Sequence, residues 1–362
     1  MDYATERYNL NEIMGDYVGE YGMKIVLGIF SRNDKILLVS ETLKKLGHDV
    51  RVVYTDAYRM ICPYYKKKLD KLGLHGDRVK YEQNWKENLY RLVDDFIPQL
   101  VLFVNAPTDI LKPDDLAYVQ EKCKTACWFV DGISYEKGLV PYFPYFDDIF
   151  VFEECDVNYL KQLGKDATYL PVGYNSAFKK MDLSQDIDIS FIGSPFPNRL
   201  KLLDVVARAA EENNWNLKII GPFYDTKYPW KKFLFKYKHP HIDKFLENRT
   251  VSPAEASEIY NRSKICLNIH AEKHKSPNPR TFEIMATGAF ELMDYREYCG
   301  IAREGNIVTY RNPNELIERV IQYLDDHEAR NKIASNGYNV TVNRLSMENV
   351  INSIIEDDIQ DE

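Results

Sequence analysis

The sequence predicts an α/β protein made of two tandem, doubly wound Rossmann-like domains. Strand-length apolar runs alternate with amphipathic helical segments, and the order strand, helix, Gly, strand near the start begins again after residue 186. Short apolar runs separated by helices are typical of parallel sheets covered on both faces. A chain of 362 residues also exceeds the usual size of one hydrophobic core, which favours two domains.

The first domain begins after a polar, Tyr-rich leader at residues 1–22. "MKIVLGIF" at 23–30 has strand length, and an amphipathic helix follows that Gly47 ends before a β-branched strand reaches Asp56. Further buried strands are predicted at "QLVLFVNAP", "TACWFVDG" and "DIFVFEE". We therefore assign residues 1–172 to an N-terminal Rossmann-like domain.

The second domain repeats the pattern at "DIDISFIG", a long helix and "NLKIIG". Ser252 and Asn312 each precede a Pro and a Glu that are placed as at a helix start. We assign residues 173–340 to a C-terminal, ligand-binding Rossmann-like domain, with the joint near 170–180. Residues 341–362 are predicted to form a helix that packs back toward the N-terminal domain.

Composition limits the possible classes of function. The chain is 45% hydrophobic and carries 55 acidic against 47 basic side chains, a net charge of -8 that disfavours broad nucleic-acid binding but leaves a local basic patch possible. Its six cysteines show no CxxC spacing, no signal segment begins the sequence, and the apolar runs are too short to span a bilayer. These features predict a soluble protein of the reducing cytoplasm.

The stretch "NPRTFEIMATGAFELMD" at 278–294 predicts a helix with a ligand at its start. Asn278 can cap the helix, Pro279 suits its first turn and Gly288 suits the position just past its end, giving about two to three turns. The preceding loop is rich in His, Lys and Pro. A helix N-terminus beside cations favours an anion, and phosphate is the usual one.

Three side chains of this stretch are candidate ligand contacts. Arg280 in the first turn could grip phosphate oxygens in a bidentate manner, or it could form an ordinary surface pair with Glu283. Glu291 lies between Phe290 and Leu292 at the start of a predicted buried strand. A carboxylate in that position requires partners, because an unpaired buried charge is costly.

Further candidates lie where the predicted strands of the second domain end. Gly193 and Ser194 follow its first strand in "GSPFPNR", and Arg199 could reach a diphosphate from there. The alternative is a Pro-stiffened loop in which Asn198 helps to start a helix. His270 ends "LNIH" and could contact a sugar or could be a structural histidine.

The motif around Arg280 resembles a known signature. "R-x-x-E-x-x-A-x-G-x-x-E", with Glu283 and Glu291 as its acids, resembles the E-x7-E signature of GT-B glycosyltransferases. The joint "PVGYNSAF" at 171–178 is similar to the P-x-G-x-D-x-x-x-F linker of these enzymes, with Asn175 in place of Asp. "ICLNIH", "RTFE" and the tail "ARNKIASNGYNVTVNRLSMENVI" resemble the CgeB-type group.

This resemblance implies a GT-B fold, two Rossmann-like domains that face a cleft, and a glycosyltransferase. The donor would be a nucleotide sugar, a UDP- or GDP-sugar, with no metal required. Arg280, Lys275 and the backbone amides of Arg280 and Thr281 are expected to hold the diphosphate. By resemblance, Glu283 would contact the donor sugar or the adjoining phosphate and Glu291 would accept hydrogen bonds from ribose hydroxyls.

The first domain is expected to bind the acceptor. Asp131 follows a buried strand and is our first candidate for a general base or a sugar contact, with an Asp-Gly turn as the alternative. The first loop has Gly28, Ser31 and Arg32 but lacks the Gly pair of many GT-B enzymes. "DID" at 186–188 imitates a metal-binding D-x-D, but we interpret it as the start of a strand.

One stretch stands apart from the motif. Residues 227–241, "KYPWKKFLFKYKHPH", carry five Lys, two His and five aromatic residues without an acid. Such a segment could contact a membrane surface or a nucleic acid. We favour an insertion whose aromatic side chains pack on the donor domain, with acceptor docking as the second interpretation.

Several questions stay open at the level of sequence. Retaining and inverting transfer are both compatible with these residues. A nucleotide-sugar epimerase, a non-catalytic nucleotide-sugar-binding or scaffold protein, and an enzyme that glycosylates modified DNA or RNA are the rival interpretations. The sugar, the nucleotide base, the acceptor and the oligomeric state are not encoded in any motif of this chain.

Overall fold

The computed structural model describes residues 22–29, 34–54, 76–105, 108, 110–133, 137–271, 275–296 and 302–359. Most of the predicted leader, Ser31, Arg32, Cys62 and Cys299 therefore lie outside the described residues. The chain divides into two compact units, Met1–Trp128 with Gly138–Ile149 and Phe129–Lys137 with Phe150–Glu362. The predicted domain limits at 172/173 and 340/341 stay predictions.

The first sheet contains six parallel strands in the order β2-β1-β3-β4-β5-β6. They are β1 (Lys24–Ile29), β2 (Asp49–Tyr54), β3 (Leu100–Val104), β4 (Lys124–Phe129), β5 (Asp148–Val151) and β6 (Thr168–Tyr169). The accompanying helices are α1 (Asp34–Lys45), α2 (Gly76–Arg91), α3 (Pro113–Gln120) and α4 (Glu154–Gln162), with a π-helical turn at Leu92–Phe96 and a 3-10 segment at Lys137–Tyr145. The predicted strands and the Gly47 stop are confirmed.

Gly28 lies within β1 and not in the loop where we had placed it. It pairs with Phe103 of β3, and a Cβ at residue 28 would lie 2.6 Å from Cδ1 of that ring. Glycine is therefore required for packing between neighbouring strands, a role that needs no ligand.

The second sheet also contains six parallel strands, in the order β12-β11-β10-β7-β8-β9. They are β7 (Ile187–Ile192), β8 (Leu217–Ile220), β9 (Leu246–Glu247), β10 (Ser263–Asn268), β11 (Glu291–Asp294) and β12 (Val308–Tyr310). The helices are α5 (Pro197–Asn213), α6 (Pro229–Lys238), α7 (Pro240–Phe245), α8 (Pro253–Asn261), α9 (Pro279–Ala286), α10 (Pro313–Asp325), α11 (His327–Arg344) and α12 (Met347–Ile359). The predicted doubly wound α/β fold is confirmed.

Local capping explains where several of these helices begin. The Ser252 side chain accepts a hydrogen bond from the Glu255 amide at 3.2 Å, and Asn312 accepts one from the Glu315 amide at 3.0 Å. Pro follows each cap at the first helical position, where its missing N–H costs nothing. Both predicted helix starts are confirmed.

The strand order of the second sheet creates a topological switch point between β7 and β10. From β7 the chain moves outward through β8 to β9, and it then returns to the other side of β7 as β10 before moving on to β11 and β12. The connections that follow β7 and β10 therefore leave in opposite directions. Open α/β sheets bind ligands in the crevice that results.

The helices of the described residues give no membrane-crossing candidate. None of them combines the length and the apolar character that a bilayer span requires.

Candidate functional site

The helix predicted after Asn278 is present with the predicted limits. α9 runs for eight residues from Pro279 to Ala286, and the Asn278 side chain accepts a hydrogen bond from the Arg280 amide at 3.1 Å. Gly288 has a φ of +70°, a left-handed conformation that favours glycine just past a helix end. The sequence-based boundaries of this helix are confirmed.

The start of α9 is more fully occupied than we expected. The amides of Arg280 and Thr281 were predicted to face the diphosphate, but both donate to Asn278, to its side chain and to its carbonyl oxygen at 2.9 Å respectively. In the ligand-free protein both amides therefore already have acceptors, and their contact with a diphosphate stays a prediction. The reason is local, since a good N-cap residue satisfies the same donors that a phosphate would use.

His270 holds the Asn278 cap in place. Its ring is fully buried, and its Nε2 accepts a hydrogen bond from the Asn278 amide at 2.9 Å. Its Nδ1 lies 2.7 Å from Oδ1 of Asp294, which also accepts from the His270 amide at 2.8 Å. Burial lowers the pKa of His270, so the ring is neutral and supports the helix start. Its predicted contact with the donor stays a prediction.

Glu291 is the buried carboxylate that the sequence predicted. It is 2% exposed on β11, and its Oε1 accepts hydrogen bonds from Nδ2 of Asn268 at 2.8 Å and from Oγ1 of Thr281 at 3.0 Å. Its Oε2 has no hydrogen-bond partner among the residues that the structure describes. One oxygen is therefore fixed by the fold, while the other is a buried acceptor whose hydrogen-bonding capacity is unused among the described residues.

Burial raises the pKa of Glu291 to about 7, although its hydrogen bonds from Asn268 and Thr281 and the charge of Arg280 favour ionisation. Desolvation outweighs these contributions because the carboxyl is removed from water on all sides. The group thus titrates near neutral pH. Donors from a bound ligand would favour its charged form, so the carboxylate is suited to bind hydroxyl groups.

Two guanidinium groups lie close to each other in this part of the fold. The positive charge of Arg280 contributes, after burial, to lowering the pKa of Arg199 to about 10. Arg280 also hydrogen-bonds the hydroxyl of Tyr260, whose pKa burial raises. Two neighbouring cations favour an anion that both could contact, and a diphosphate is such an anion.

Arg199 hydrogen-bonds both of the loops at the switch point, the one after β7 and the one after β10. Its Nε donates to the carbonyl of Ile269 after β10 at 2.7 Å, and its Nη1 donates to the carbonyl of Ser194 after β7 at 3.1 Å. The side chain is only 6% exposed. Arg199 therefore fixes the crevice walls, and a diphosphate contact by this residue stays a prediction.

The neighbouring Asn198 does not start α5 in the way we considered. The N-cap of α5 is Phe196, which has no side-chain cap, and Nδ2 of Asn198 donates instead to the carbonyl of His270 at 2.7 Å. Asn198 and Arg199 thus both bind the backbone after β10, which holds the crevice walls together.

Gly193 and Gly221 form a close backbone contact below this loop. The Gly193 amide donates to the carbonyl of Ile220 at 2.9 Å, and a Cβ at residue 221 would lie 2.0 Å from the carbonyl oxygen of Gly193. Only glycine fits at 221, since a side chain would collide with backbone that cannot rotate away. Ser194 is exposed at the next position and stays a predicted ligand contact.

The other predicted residues are placed as follows. Lys275 is exposed in the loop before α9, and Glu283 is partly exposed on α9. Asp131 is exposed just after β4. Their functions as phosphate, sugar and proton-transfer groups stay predictions.

Three residues of this network were not singled out from the sequence. Asn268 donates to Glu291 and exchanges hydrogen bonds with Asn278, while Asp294 orients His270 and Tyr260 contacts Arg280. Asn268 could have been recognised, because an amide inside the apolar run "ICLNIH" needs a buried partner.

One group of described residues could offer several atoms to a metal ion. Glu153, Cys155 and Asp156 have potential ligand atoms within 4.8 Å of one another. Asp156 already accepts a hydrogen bond from the Ile133 amide at 2.9 Å, and burial raises the pKa of the Cys155 thiol to about 11. A protonated thiol is a poor metal ligand. This group therefore does not overturn the metal-free expectation, which stays a prediction.

The fold defines a class of protein when it is compared with solved structures. A glycosyltransferase from Rickettsia africae superposes with a TM-score of 0.66 at 12% identity over 93% of this chain and 98% of that chain. Anabaena HepE in complex with UDP and glucose superposes with a TM-score of 0.63 at 12% identity over 92% and 98% of the two chains. These likenesses confirm the predicted GT-B fold.

Two sequence comparisons add to the likeness in fold. Residues 199–356 match the profile of a family described as glycosyl transferase-like. The spore protein CgeB of Bacillus subtilis is 30% identical over 214 residues, 54% of this chain and 63% of the relative. The match thus spans less than two thirds of that relative's length. The predicted resemblance to CgeB-type glycosyltransferases is confirmed for this part of the chain.

Proposed function

We propose that this protein is a glycosyltransferase that moves a sugar from a nucleotide-sugar donor to a hydroxyl group of an acceptor. The observation that carries the proposal is the buried Glu291 carboxylate, which is held through Oε1 and has an unpaired Oε2. A site that buries a hydroxyl-binding carboxylate near two guanidinium groups matches the ribose and diphosphate of such a donor. The glycosyl transferase-like match supports the same proposal.

In the reaction, the bond between the anomeric carbon and the diphosphate oxygen breaks while the acceptor oxygen bonds to that carbon. The nucleoside diphosphate leaves with the electron pair, and the acceptor hydroxyl loses its proton. We propose that Arg280, with Lys275 and Arg199 near the same helix start, stabilises the charge that develops on the diphosphate. Glu283 would contact the sugar or the adjoining phosphate.

The Asn278 cap gives the site two states in this proposal. In the free protein the Asn278 side chain occupies the Arg280 amide. A diphosphate could take this amide only by displacing the cap, whereas the Arg280 guanidinium can bind phosphate without that step. We therefore assign the first contact with the donor to the arginine side chain.

Asp131 is proposed as the acceptor-side base. Its exposed position after β4 is compatible with proton transfer to water or to a neighbouring group. Inversion at the anomeric carbon would use such a base, whereas retention would not. Product analysis by NMR distinguishes the two outcomes, and Asp131→Asn would abolish inverting transfer while leaving donor binding intact.

The donor is proposed to be a UDP- or GDP-sugar, bound without a divalent metal in the cytoplasm. Anabaena HepE is described in complexes with UDP and with UDP-glucose. In our proposal arginine side chains supply the positive charge next to the diphosphate that a metal ion provides in metal-dependent enzymes. Nucleotide-induced stabilisation should then be the same in EDTA and in Mg²⁺, and a requirement for Mg²⁺ would contradict this part.

A panel of nucleotides and nucleotide sugars in a thermal-shift assay tests the function. A ligand that binds the folded state raises the melting temperature by mass action. A response to a nucleoside diphosphate or its sugar is expected, and Glu291→Ala should abolish it while the unliganded protein still melts cooperatively. If none of these compounds stabilises the protein, the glycosyltransferase proposal fails.

An epimerase is the second candidate, because a putative UDP-N-acetylglucosamine 2-epimerase from Listeria monocytogenes has the same fold, with a TM-score of 0.58 at 13% identity. Incubation with the stabilising nucleotide sugar alone separates the two. An epimerase converts the sugar into its epimer without an acceptor, whereas a transferase leaves its configuration unchanged. A third possibility, a binding protein without activity, would show stabilisation but no turnover with any acceptor.

A further inference from the structure

Helix α6 exposes a continuous stripe of large apolar side chains. Trp230, Phe233, Leu234 and Tyr237 are 60%, 75%, 40% and 79% exposed. Their spacing of three, four and seven residues places them on one face of the helix. The favoured interpretation of residues 227–241 as an insertion with packed aromatics is therefore wrong for these side chains.

The opposite face of α6 anchors the helix. Phe235 is 8% exposed and contacts the Phe223 ring edge-on, with the ring centroids 5.7 Å apart. It also lies 5.1 Å from the ring of His239. Phe235 thus supplies a buried packing contact on the side of α6 that faces away from the exposed stripe.

Cations flank the stripe on both sides. Lys232, Lys236 and Lys238 are exposed, and Nζ of Lys231 lies 4.6 Å above the centroid of the Tyr228 ring. The sequence between Asp225 and Asp243 contains no acidic residue, although the whole chain has a net charge of -8. The positive charge is thus concentrated around the apolar stripe.

We propose that α6 is a peripheral docking surface for an anionic lipid bilayer. The stripe would enter the boundary between headgroups and acyl chains, and the flanking lysines would contact anionic headgroups. Trp and Tyr suit this depth because each has an apolar ring and a polar group that stays hydrated. The helix would lie on the bilayer without crossing it.

A bilayer fits this surface better than a nucleic acid does. Single-stranded nucleic acids are bound by aromatic platforms within a groove of cations that follows the phosphate backbone. On α6 the apolar side chains, Leu234 included, instead form one outward edge with lysines at its sides. An aliphatic side chain in the centre of the edge contributes to insertion but offers no stacking surface to a base.

Vesicle flotation of the full-length protein tests the proposal without any nucleotide. Vesicles of equal parts phosphatidylglycerol and phosphatidylcholine should bind the protein at least about tenfold more strongly than vesicles of phosphatidylcholine alone. The double variant Phe233→Ser/Tyr237→Ser should lose most of this binding. Lys232→Gln/Lys236→Gln should weaken it about tenfold at low salt.

Two matched variants serve as controls. Ile321→Ser removes an apolar side chain that is 46% exposed on α10, and Lys201→Gln/Lys332→Gln removes two exposed lysines outside α6. Both should bind vesicles as the unchanged protein does. All substituted side chains are exposed, so the melting temperatures should stay close to that of the unchanged protein.

Three results would overturn the proposal. The first is equal binding to both kinds of vesicle, and the second is unchanged binding by the Phe233→Ser/Tyr237→Ser variant. The third is that single-stranded DNA or RNA binds more tightly through the same lysines and displaces the protein from the vesicles. Because the assay contains no nucleotide sugar, a failure here leaves the proposed transferase activity untouched.

Discussion

The backbone amide of Asn278 donates a hydrogen bond to Nε2 of His270 at 2.9 Å. A backbone N–H can only donate, so Nε2 must be the unprotonated nitrogen of the neutral ring. The ring proton therefore lies on Nδ1, which donates to Oδ1 of Asp294 at 2.7 Å. The Asn278 contact thus fixes the tautomer of a fully buried histidine, and the two contacts together link the end of β10 with β11 and the start of α9.

This arrangement predicts that acid destabilises the protein through His270. Burial lowers its pKa below 6.5, so the native ring binds fewer protons than the unfolded one. The contribution to stability is fully present above pH 6.5 and is lost as the pH falls through the native pKa. Protonated Nε2 would also face the Asn278 N–H, replacing an acceptor with a second donor.

Denaturation by urea at pH 7.5 and pH 5.5 measures this effect. His270→Phe should lower the free energy of unfolding by about 3 kcal/mol at pH 7.5, because it leaves the Asn278 amide without its acceptor and removes the ring N–H that donates to Asp294. Its stability should then change less between the two pH values than that of the unchanged protein. His327→Phe, at an exposed position, should preserve the original pH dependence, and an equal slope in His270→Phe would refute the assignment.

Glu291 predicts the opposite pH dependence. Its pKa rises from 4.5 to about 7 on folding, so the native state binds more protons between these values. Stability from this group is fully present below pH 4.5 and falls as the pH rises through 7, by roughly 3 kcal/mol in all. Glu291→Gln keeps an acceptor for Asn268 and Thr281 without the charge. It should therefore be more stable than the unchanged protein at pH 8, and equal stability there would contradict the raised pKa.

Donor binding should strengthen as Glu291 ionises. Ribose hydroxyls donate to a carboxylate, so a ligand that they anchor favours the charged form and releases a proton on binding near pH 7. The affinity for the stabilising nucleotide is expected to be about tenfold higher at pH 8 than at pH 6, as measured by calorimetry. Glu291→Gln should remove most of this difference, which separates it from titration of the nucleotide itself. The prediction fails if both proteins show the same pH dependence.

Arg280 should matter for the phosphates and not for the nucleoside. Arg280→Ala is expected to weaken binding of the nucleoside diphosphate by about 10- to 100-fold, the usual range for a lost charge-assisted contact, and to leave binding of the nucleoside nearly unchanged. Arg262→Ala is the matched control, because this arginine pairs with Asp186 at 2.6 Å near the protein surface. Equal losses for both ligands would show that Arg280 acts by supporting the fold.

The sequence predicted local structure more completely than it predicted side-chain partners. The cap at Asn278, the turn of Gly288 and the burial of Glu291 follow from residue type and spacing within a few positions. The partners of Glu291 and His270 lie 8 to 24 residues away in sequence, and strand register decides which of them meet. No local pattern specifies that register.

Two features could not be read from residue type, for the same physical reason. The sequence shows the amides at the start of α9 as donors, but it does not show how completely a cap satisfies them. The aromatics of α6 were interpreted as packing residues, because residue type alone does not show whether an aromatic side chain is buried or exposed. The structure buries Phe235 against Phe223 and leaves Trp230, Phe233 and Tyr237 largely exposed.

The contact between Gly193 and Gly221 limits how this protein can diversify. The turn after β7 packs on the backbone of Gly221 and not on a side chain. A substitution beneath the turn therefore cannot change the direction in which the turn points. New ligand preferences at this edge must come from the outward residues at 194–196 or from changes in loop length. Glycine at residue 221 must therefore be kept, while the residues around the crevice can change in evolution or by design without moving the backbone beneath it.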